Sequence, residues 1–314
     1  MAAEPGMLLV DKPGGLTSHD VVARARRAMG TRKIGHAGTL DPMATGLLVL
    51  GVESATRLLT FVVGLDKTYE ATIRLGAATD TDDAEGEVIA RAQRSAIEVV
   101  TGTGIAAGVA ALTGPISQVP STVSAIKVDG RRAYDLAREG VDVQLRSRAV
   151  TVSRFEVRAQ RRTEEFVDLD VVVDCSSGTY IRALARDLGR DLGTGGHLTA
   201  LRRTRVGPFD VADAVTPDGI GAQALRDPAE VAATVLGRFS VSDDEARALW
   251  QGKRLPNAAP RLRAERAAAI TASGMLVGVV ERRGEDVKSV MNLPAPPQQP
   301  RAAAGEIPIG GDDE

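Results

Sequence analysis

Residues 35–52 read GHAGTLDPMATGLLVLGV. The first part is loop chemistry. Gly35, Gly38 and Gly46 allow another backbone or a ligand to approach closely, and Pro42 confines Asp41 to extended geometry, so this carboxylate is presented with little freedom. The second part, GLLVLGV (46–52), is an apolar run of strand length, short enough to be buried on both faces. An isolated Asp-Pro is usually an ordinary turn. An Asp-Pro set among glycines and feeding a buried strand is also a way to hold a reactive carboxylate at a sheet edge.

Working outward, LTSHDVVARARRAMG (16–30) has the signals of a capped helix. Thr17 or Ser18 can cap it, Val21, Val22, Ala25 and Met29 recur at helical spacing, and Gly30 stops it. SATRLLTFV (54–62) predicts a second helix. In KTYEATIRLG (67–76), Tyr69, Ala71, Ile73 and Leu75 alternate with Thr68, Glu70, Thr72 and Arg74, which is the period of a half-buried strand. DTDDAEGEV (80–88) invites a calcium-loop reading, but Glu85 stands where the loop needs glycine, so a solvated hairpin connection is expected. A helical segment near 95–113, an Asp129-Gly130 turn between Lys127 and Arg131/Arg132, and strands at 143–158 and 165–174 follow. CSSGTYIR (175–182) marks a strand-to-helix transition. In the helix it opens, Ile181, Leu184, Ala185, Leu188 and Leu192 form one stripe and Gly193 is the stop. Arg182 lies off that stripe. It is either a helix-surface arginine or the partner of a carboxylate in a cleft. The Ala-rich stretch 215–236 reads as helical, and 239–293 returns to short segments.

Composition narrows the class. The 314 residues are 43% hydrophobic and 25% charged, which excludes a disordered or collagenous chain. A lone Cys175 excludes a disulfide framework, and with three histidines there is little material for a metal centre. No metal is expected. MAAEPGMLLVDKP lacks the basic start of a signal peptide, and no apolar run approaches the roughly 20 residues that span a bilayer, so a cytoplasmic protein with no membrane partner is expected. The 39 Lys and Arg against 41 Asp and Glu give a net charge of −2, which by itself argues against a phosphate-binding protein. The acids, however, collect in 80–87 and 312–314, while Arg24, Arg27, Arg32, Lys33, Lys127, Arg131, Arg132, Arg202, Arg203 and Arg205 flank the motifs. A locally basic cleft on a near-neutral chain is expected, with those groups facing phosphates.

Five motifs occur in order: GHAGTLDPMATGLLVLGV, KTYEATIRLG, SAIKVDGRRAYDLAREG, SSGTYIRALARDLG and GGHLTALRRTRVGPF. Together they resemble the TruB-type bacterial tRNA pseudouridine(55) synthases over nearly all of residues 7–215. The resemblance implies isomerisation of the uridine of the tRNA T-arm stem-loop: the base leaves its stack, C1′–N1 breaks, and the base rejoins through C5. It implies no cofactor. Asp41 matches the family's catalytic aspartate, whether it adds to the base, attacks C1′ or removes a C2′ proton. Tyr69 matches the aromatic that stacks on the target uracil and is a candidate for the C5 proton transfer. Arg182 matches the arginine that pairs with the aspartate. Tyr180 and Leu201 match pocket residues, and His36 matches a histidine that helps open the T-loop.

The fold implied is α+β, with a large mixed, mostly antiparallel sheet flanked by helices and the cleft across its middle. Residues 1–238 would form the catalytic domain, 239–293 a small PUA-like RNA-binding domain and 294–314 a disordered tail. VSDDEARALWQGKRLP and GMLVGVVE carry the PUA-like likeness. A monomer with no obligatory protein partner is expected. The alternative reading is an RNA-binding or tRNA-folding protein on the same fold without catalysis. A third, an Asp-dependent glycosidase, lacks a second carboxylate at a comparable motif.

Overall fold

The computed structural model of the chain describes residues 3–121, 127–128, 131–132 and 145–295. The expected Asp129-Gly130 turn and the tail from 296 onward lie outside these residues. The first half of the chain carries β1 (Gly6–Lys12), α1 (Ser18–Met29), β2 (Ile34–Ala37), β3 (Thr45–Val52), α2 (Leu59–Val63), β4 (Lys67–Leu75), β5 (Ala77–Thr79), β6 (Val88–Arg91), α3 (Arg94–Glu98), α4 (Gly102–Ala111) and β7 (Gly114–Gln118). The short pair β8 (Lys127–Val128) and β9 (Arg131–Arg132) precedes the long strands β10 (Arg148–Arg162) and β11 (Val167–Cys175). Then come α5 (Ile181–Asp191), β12 (Gly196–Val206) and β13 (Phe209–Asp210).

Among the described residues, nine of these strands make one sheet in the order β1-β3-β12-β4-β11-β10-β7, with β2 on β3 and β13 on β12. Every pairing is antiparallel except β3 with β12, which run parallel through Thr45–Arg202 and Gly46–Arg203. The alternation in KTYEATIRL places Tyr69, Ala71, Ile73 and Leu75 in one apolar core with Val171, Val173 and Leu169 of β11 and Leu184 and Leu188 of α5. The next core, Met7, Leu9, Leu47 and Val49, is shared with α6 (Pro228–Leu236) and with the second sheet through Ala268, Ile270 and Val279. That sheet runs β14 (Arg238–Val241), β15 (Arg266–Thr271), β16 (Leu276–Arg283), β17 (Asp286–Asn292), and α7 (Asp243–Trp250) packs on it. The small C-terminal β unit is therefore joined to the large sheet by buried apolar contact.

Local chemistry explains where the elements begin and end. Thr17 caps α1: its side chain accepts the Asp20 N–H at 3.1 Å while the Asp20 carboxylate accepts the Thr17 N–H at 2.8 Å, and Gly30 closes the helix at φ 64°. Ser18 is thereby released for another task. Its buried hydroxyl accepts the Leu40 N–H at 2.9 Å and donates to the Leu40 carbonyl at 3.2 Å, pinning the residue before Asp41. Two helical expectations are corrected in extent. Residues 54–62 start as a 3-10 turn over Glu53–Leu58 before α2, and of 215–236 only α6 is α-helical. Pro217, Gly219 and Gly221 hold the earlier part to short 3-10 turns, and Asp227 with Pro228 supplies the cap and first residue that let α6 start.

The parallel junction sets a tight constraint. Gly46 sits at φ +103°, and a Cβ there would lie 2.2 Å from the Arg203 carbonyl oxygen and 2.8 Å from its nitrogen. Both atoms are backbone, so neither can swing aside. Gly46→Ala is predicted to cost more than about 3 kcal/mol from strain and overpacking, lowering the melting temperature by more than about 5 °C. An unchanged thermal midpoint would contradict this view of the junction.

Candidate active site

Asp41 lies in the loop between β2 and β3, and each flank of that loop is bolted down. Leu40 is held by Ser18 as described. On the other side the Pro42 carbonyl accepts the Gly15 N–H at 2.9 Å and the Lys12 ammonium at 3.2 Å. Lys12 ends β1 fully buried, and its Nζ also donates to the Pro13 and Leu16 carbonyls. Burial lowers its pKa to about 8, with Asp41 pulling it back up. Below the loop, Arg203 of β12 donates Nε to the Leu47 carbonyl at 2.7 Å and Nη2 to the Gly38 carbonyl at 3.1 Å.

The Asp41 carboxylate meets Arg182 at 3.0 Å, Oδ2 to Nε. Arg182 enters from the first turn of α5 and is 4% exposed, so the surface alternative is set aside. Its Nη1 donates to the Thr81 carbonyl at 2.8 Å and pairs with Asp83 at 3.3 Å. Asp83 was not singled out by sequence reading; it sits in the acidic stretch expected to be a solvated connection away from the motifs. The hairpin is present as β5–β6, but its turn is not solvated at Asp82 and Asp83, which are 8% and 3% exposed. Asp82 takes a positive φ of 60°, its carbonyl accepts the Leu198 N–H of β12, and its carboxylate pairs with Arg186. The Asp83 carboxylate accepts from the Thr81 hydroxyl at 2.7 Å and the Glu85 N–H at 3.0 Å. The acids are thus consumed by arginines of α5 and by their own turn.

A cavity of about 370 Å³ opens beside this pair, of a size that suits one small ligand. Asp41, Tyr69, Tyr180, Arg182, Leu201 and Arg203 all line it. Tyr69 projects from β4 opposite Arg203 in the strand register and is 9% exposed. Burial raises the Tyr69 pKa and Arg203 opposes the rise. Lys67, two residues earlier on the same strand, also lines the cavity; it donates to the Val63 and Leu65 carbonyls, and burial lowers its pKa to about 8. Tyr180 is the N-cap residue of α5.

The other expected site residues are placed differently. His36 is on β2, outside the cavity lining, with its ring edge-on to His19 at 5.5 Å. Lys127 lies on β8, and its side chain is outside the described residues. Arg203 as a phosphate-facing group is corrected: it is 1% exposed and its nitrogens are committed to backbone carbonyls of the Asp41 loop and β3. Arg202 is half-buried and forked onto Asp11 at 2.7 and 3.0 Å, and Arg205 bonds Thr68, the Gly207 carbonyl and Asp174. The GGHLTALRRTRVGPF motif therefore builds the cleft floor more than an open basic face.

Although 35% of the Asp41 side chain is open to the cavity, enclosure by the surrounding protein raises its pKa; Arg182 lowers it, Asp83 raises it and Lys12 lowers it. Removing the Asp83 charge takes away an influence that raises the pKa, so Asp83→Asn is predicted to move Asp41 ionisation to lower pH. Carbon-13 NMR titration of the Asp41 carboxyl checks this, and an unchanged or upward-moving titration would contradict it. No helix among the described residues is long and apolar enough to cross a membrane.

Three family models match consecutive parts of the chain. The N-terminal domain of the TruB family pseudouridylate synthases matches residues 26–181, the tRNA pseudouridylate synthase B C-terminal domain matches 182–238, and the C-terminal domain of tRNA pseudouridine synthase II matches 236–294. The chain is 57% identical to the tRNA pseudouridine synthase B of Leifsonia xyli subsp. xyli, over 92% of this chain and 97% of that one. It is 55% identical to that of Nocardia farcinica, over 91% and 92%. Among solved structures, a Cbf5-Nop10-Gar1 complex is similar at TM-score 0.64 and 25% identity, over 88% of this chain and 78% of that one. An H/ACA RNP bound to a substrate RNA containing 2′-deoxyuridine shares the fold at TM-score 0.67 and 24% identity, over 92% and 85%. With a large mixed sheet, a carboxylate–arginine pair beside a cavity at its middle, and these likenesses along almost its whole length, the chain belongs to the TruB family of pseudouridylate synthases.

Proposed function

We propose that this chain converts the T-loop uridine of tRNA at position 55 to pseudouridine, with Asp41 as the reacting carboxylate. The observation that carries this reading is the Asp41–Arg182 pair at the open side of a cavity sized for one flipped base, with the Tyr69 ring on its wall. A uridine extruded from its stack loses stacking energy of a few kcal/mol, which contact with Tyr69 and Leu201 offsets. C1′–N1 then breaks, the detached ring turns within the cavity, C1′–C5 forms, and the C5 hydrogen leaves as a proton while N1 gains one. The reaction is an isomerisation with no net oxidant or reductant.

Whichever atom Asp41 engages, it must act as a carboxylate, and the Arg182 guanidinium favours that form where enclosure disfavours it. The pinned loop fixes its position before substrate arrives, which is the condition for efficient positioning. Tyr69, beside Arg203, is placed to receive or pass the C5 proton, since a guanidinium stabilises negative charge developing on the phenol oxygen. Tyr180 and Leu201 confine the ring, and His36, with His19, stands outside the lining where displaced loop bases would lie. The exposed arginines of α1 and the loop after it, Arg27 and Arg32, supply phosphate contacts. Residues 1–238 are read as the catalytic domain and 239–293 as a PUA-like unit that adds RNA contact. The protein acts as a cytoplasmic monomer without a cofactor.

Release of tritium from tRNA labelled at uracil C5 tests the reading. The wild-type chain is predicted to release it, and Asp41→Asn to slow release by roughly 10³-fold or more while leaving tRNA binding within a few-fold. Undiminished release by Asp41→Asn would remove Asp41 from the chemistry. Wild-type improvement of tRNA folding without any release would favour the non-catalytic alternative.

A further inference from the structure

The geometry points to Gln118 as a positioning residue that sets where Tyr180 stands in the cavity. Gln118 ends β7, the outermost strand of the sheet path, and is 2% exposed. Its side-chain amide makes a two-point bond to the backbone of Tyr180: Oε1 accepts the Tyr180 N–H at 2.8 Å and Nε2 donates to the Tyr180 carbonyl at 2.9 Å. One primary amide thus reproduces the pair of bonds that a neighbouring strand would offer. Tyr180 needs such a partner. It is the N-cap residue of α5, extended at φ −102° and ψ 106°, with no side-chain cap of its own, and it follows a turn through Gly178. Its ring lines the cavity, and Arg182, which holds Asp41, is two residues further on.

The segment carrying Gln118 is fixed to the same body by further contacts. Gln118 pairs in register with Arg148, another cavity-lining residue. The Val119 carbonyl accepts from Arg186 at 2.7 Å, and the same arginine pairs with Asp82, next to Asp83, at 3.2 Å. Gln118 is the one member of this set that bonds directly to the backbone of a cavity tyrosine. A shift of the Tyr180 Cα by a fraction of an ångström tilts its ring against the rotating base, so the cost falls on the chemical step more than on tRNA binding.

This inference rests on the proposed reaction, and the test separates the two. With tRNA labelled at uracil C5, single-turnover release and filter-binding affinity are measured for the wild-type chain, Gln118→Ala, Tyr180→Ala and the double variant, with circular dichroism for folding. Gln118→Ala is expected to slow release about 10-fold with affinity within twofold. In the Tyr180→Ala background the same change is expected to cost less than twofold, because the group it acts through is gone. Equal losses in both backgrounds, or a full rate for Gln118→Ala, would overturn the inference. If Gln118→Ala does not fold, Gln118→Glu carries the same comparison, since it keeps the volume and the acceptor and loses the donor. A wild-type chain that releases no tritium overturns the functional reading itself.

Discussion

Arg182 carries one positive charge into a site where water barely reaches it, and two carboxylates meet it there, Asp41 on one edge and Asp83 on the other. A buried ion pair is a poor source of net stability, but losing one partner of such a pair is expensive, roughly 3–5 kcal/mol, because it strands a charge. The three segments that bring these groups together are consequently obliged to stay together. The Asp41 loop is held by Ser18, Lys12 and Arg203, the β5–β6 turn docks on β12 through the Asp82 carbonyl, and α5 buries its apolar stripe on β4 and β12. None of these segments is adjacent to another in sequence. The sheet's strand order, with its single parallel junction between β3 and β12, makes them neighbours.

That arrangement also divides labour among the charges. Arg182 faces the Asp41 carboxylate, whereas Arg203 braces the Leu47 and Gly38 carbonyls on either side of the same loop. The two tyrosines stand on opposite supports: Tyr69 on a central strand, stiffened by an apolar row, and Tyr180 at a helix start steadied by a glutamine from the sheet's far end. Under the proposed reaction, a base held among them would be positioned by groups that are themselves held, as the rearrangement of a detached ring requires.

The strands and helices with strong periods were readable in advance. Tyr69 and its alternation, the α1 cap and stop, and the α5 stripe all follow from local pattern. Asp41 was legible as a presented carboxylate because glycine and proline act on the backbone next to them. From local pattern Arg182 was legible only as two alternatives, since the period that marks a helix's apolar face says nothing of a charge buried beside it; the family resemblance alone singled out the pairing. Asp83 was missed for the same reason in reverse: DTDDAEGE has the composition of a solvated loop, and the arginines that bury its acids lie about a hundred residues away. Arg203 was misjudged because LRRTRV looks like a basic surface run, while strand alternation turns its second arginine inward under the loop. The hidden signal is that alternation: Leu201, Arg203 and the pocket share one face of β12. Lys12 ends a mostly apolar, buried strand and gave no sign that its ammonium would be spent on three carbonyls.

The central claim is that the cavity beside the Asp41–Arg182 pair receives the flipped uridine. A crystal structure of the chain bound to a T-arm stem-loop with 5-fluorouridine at the target position addresses it directly. The account predicts the fluorinated ring inside the cavity, stacked on Tyr69 and against Leu201, with the Asp41 carboxylate in contact with its sugar or ring and still paired to Arg182. A target base that remains stacked in the RNA loop, or that is bound away from Asp41, would contradict it.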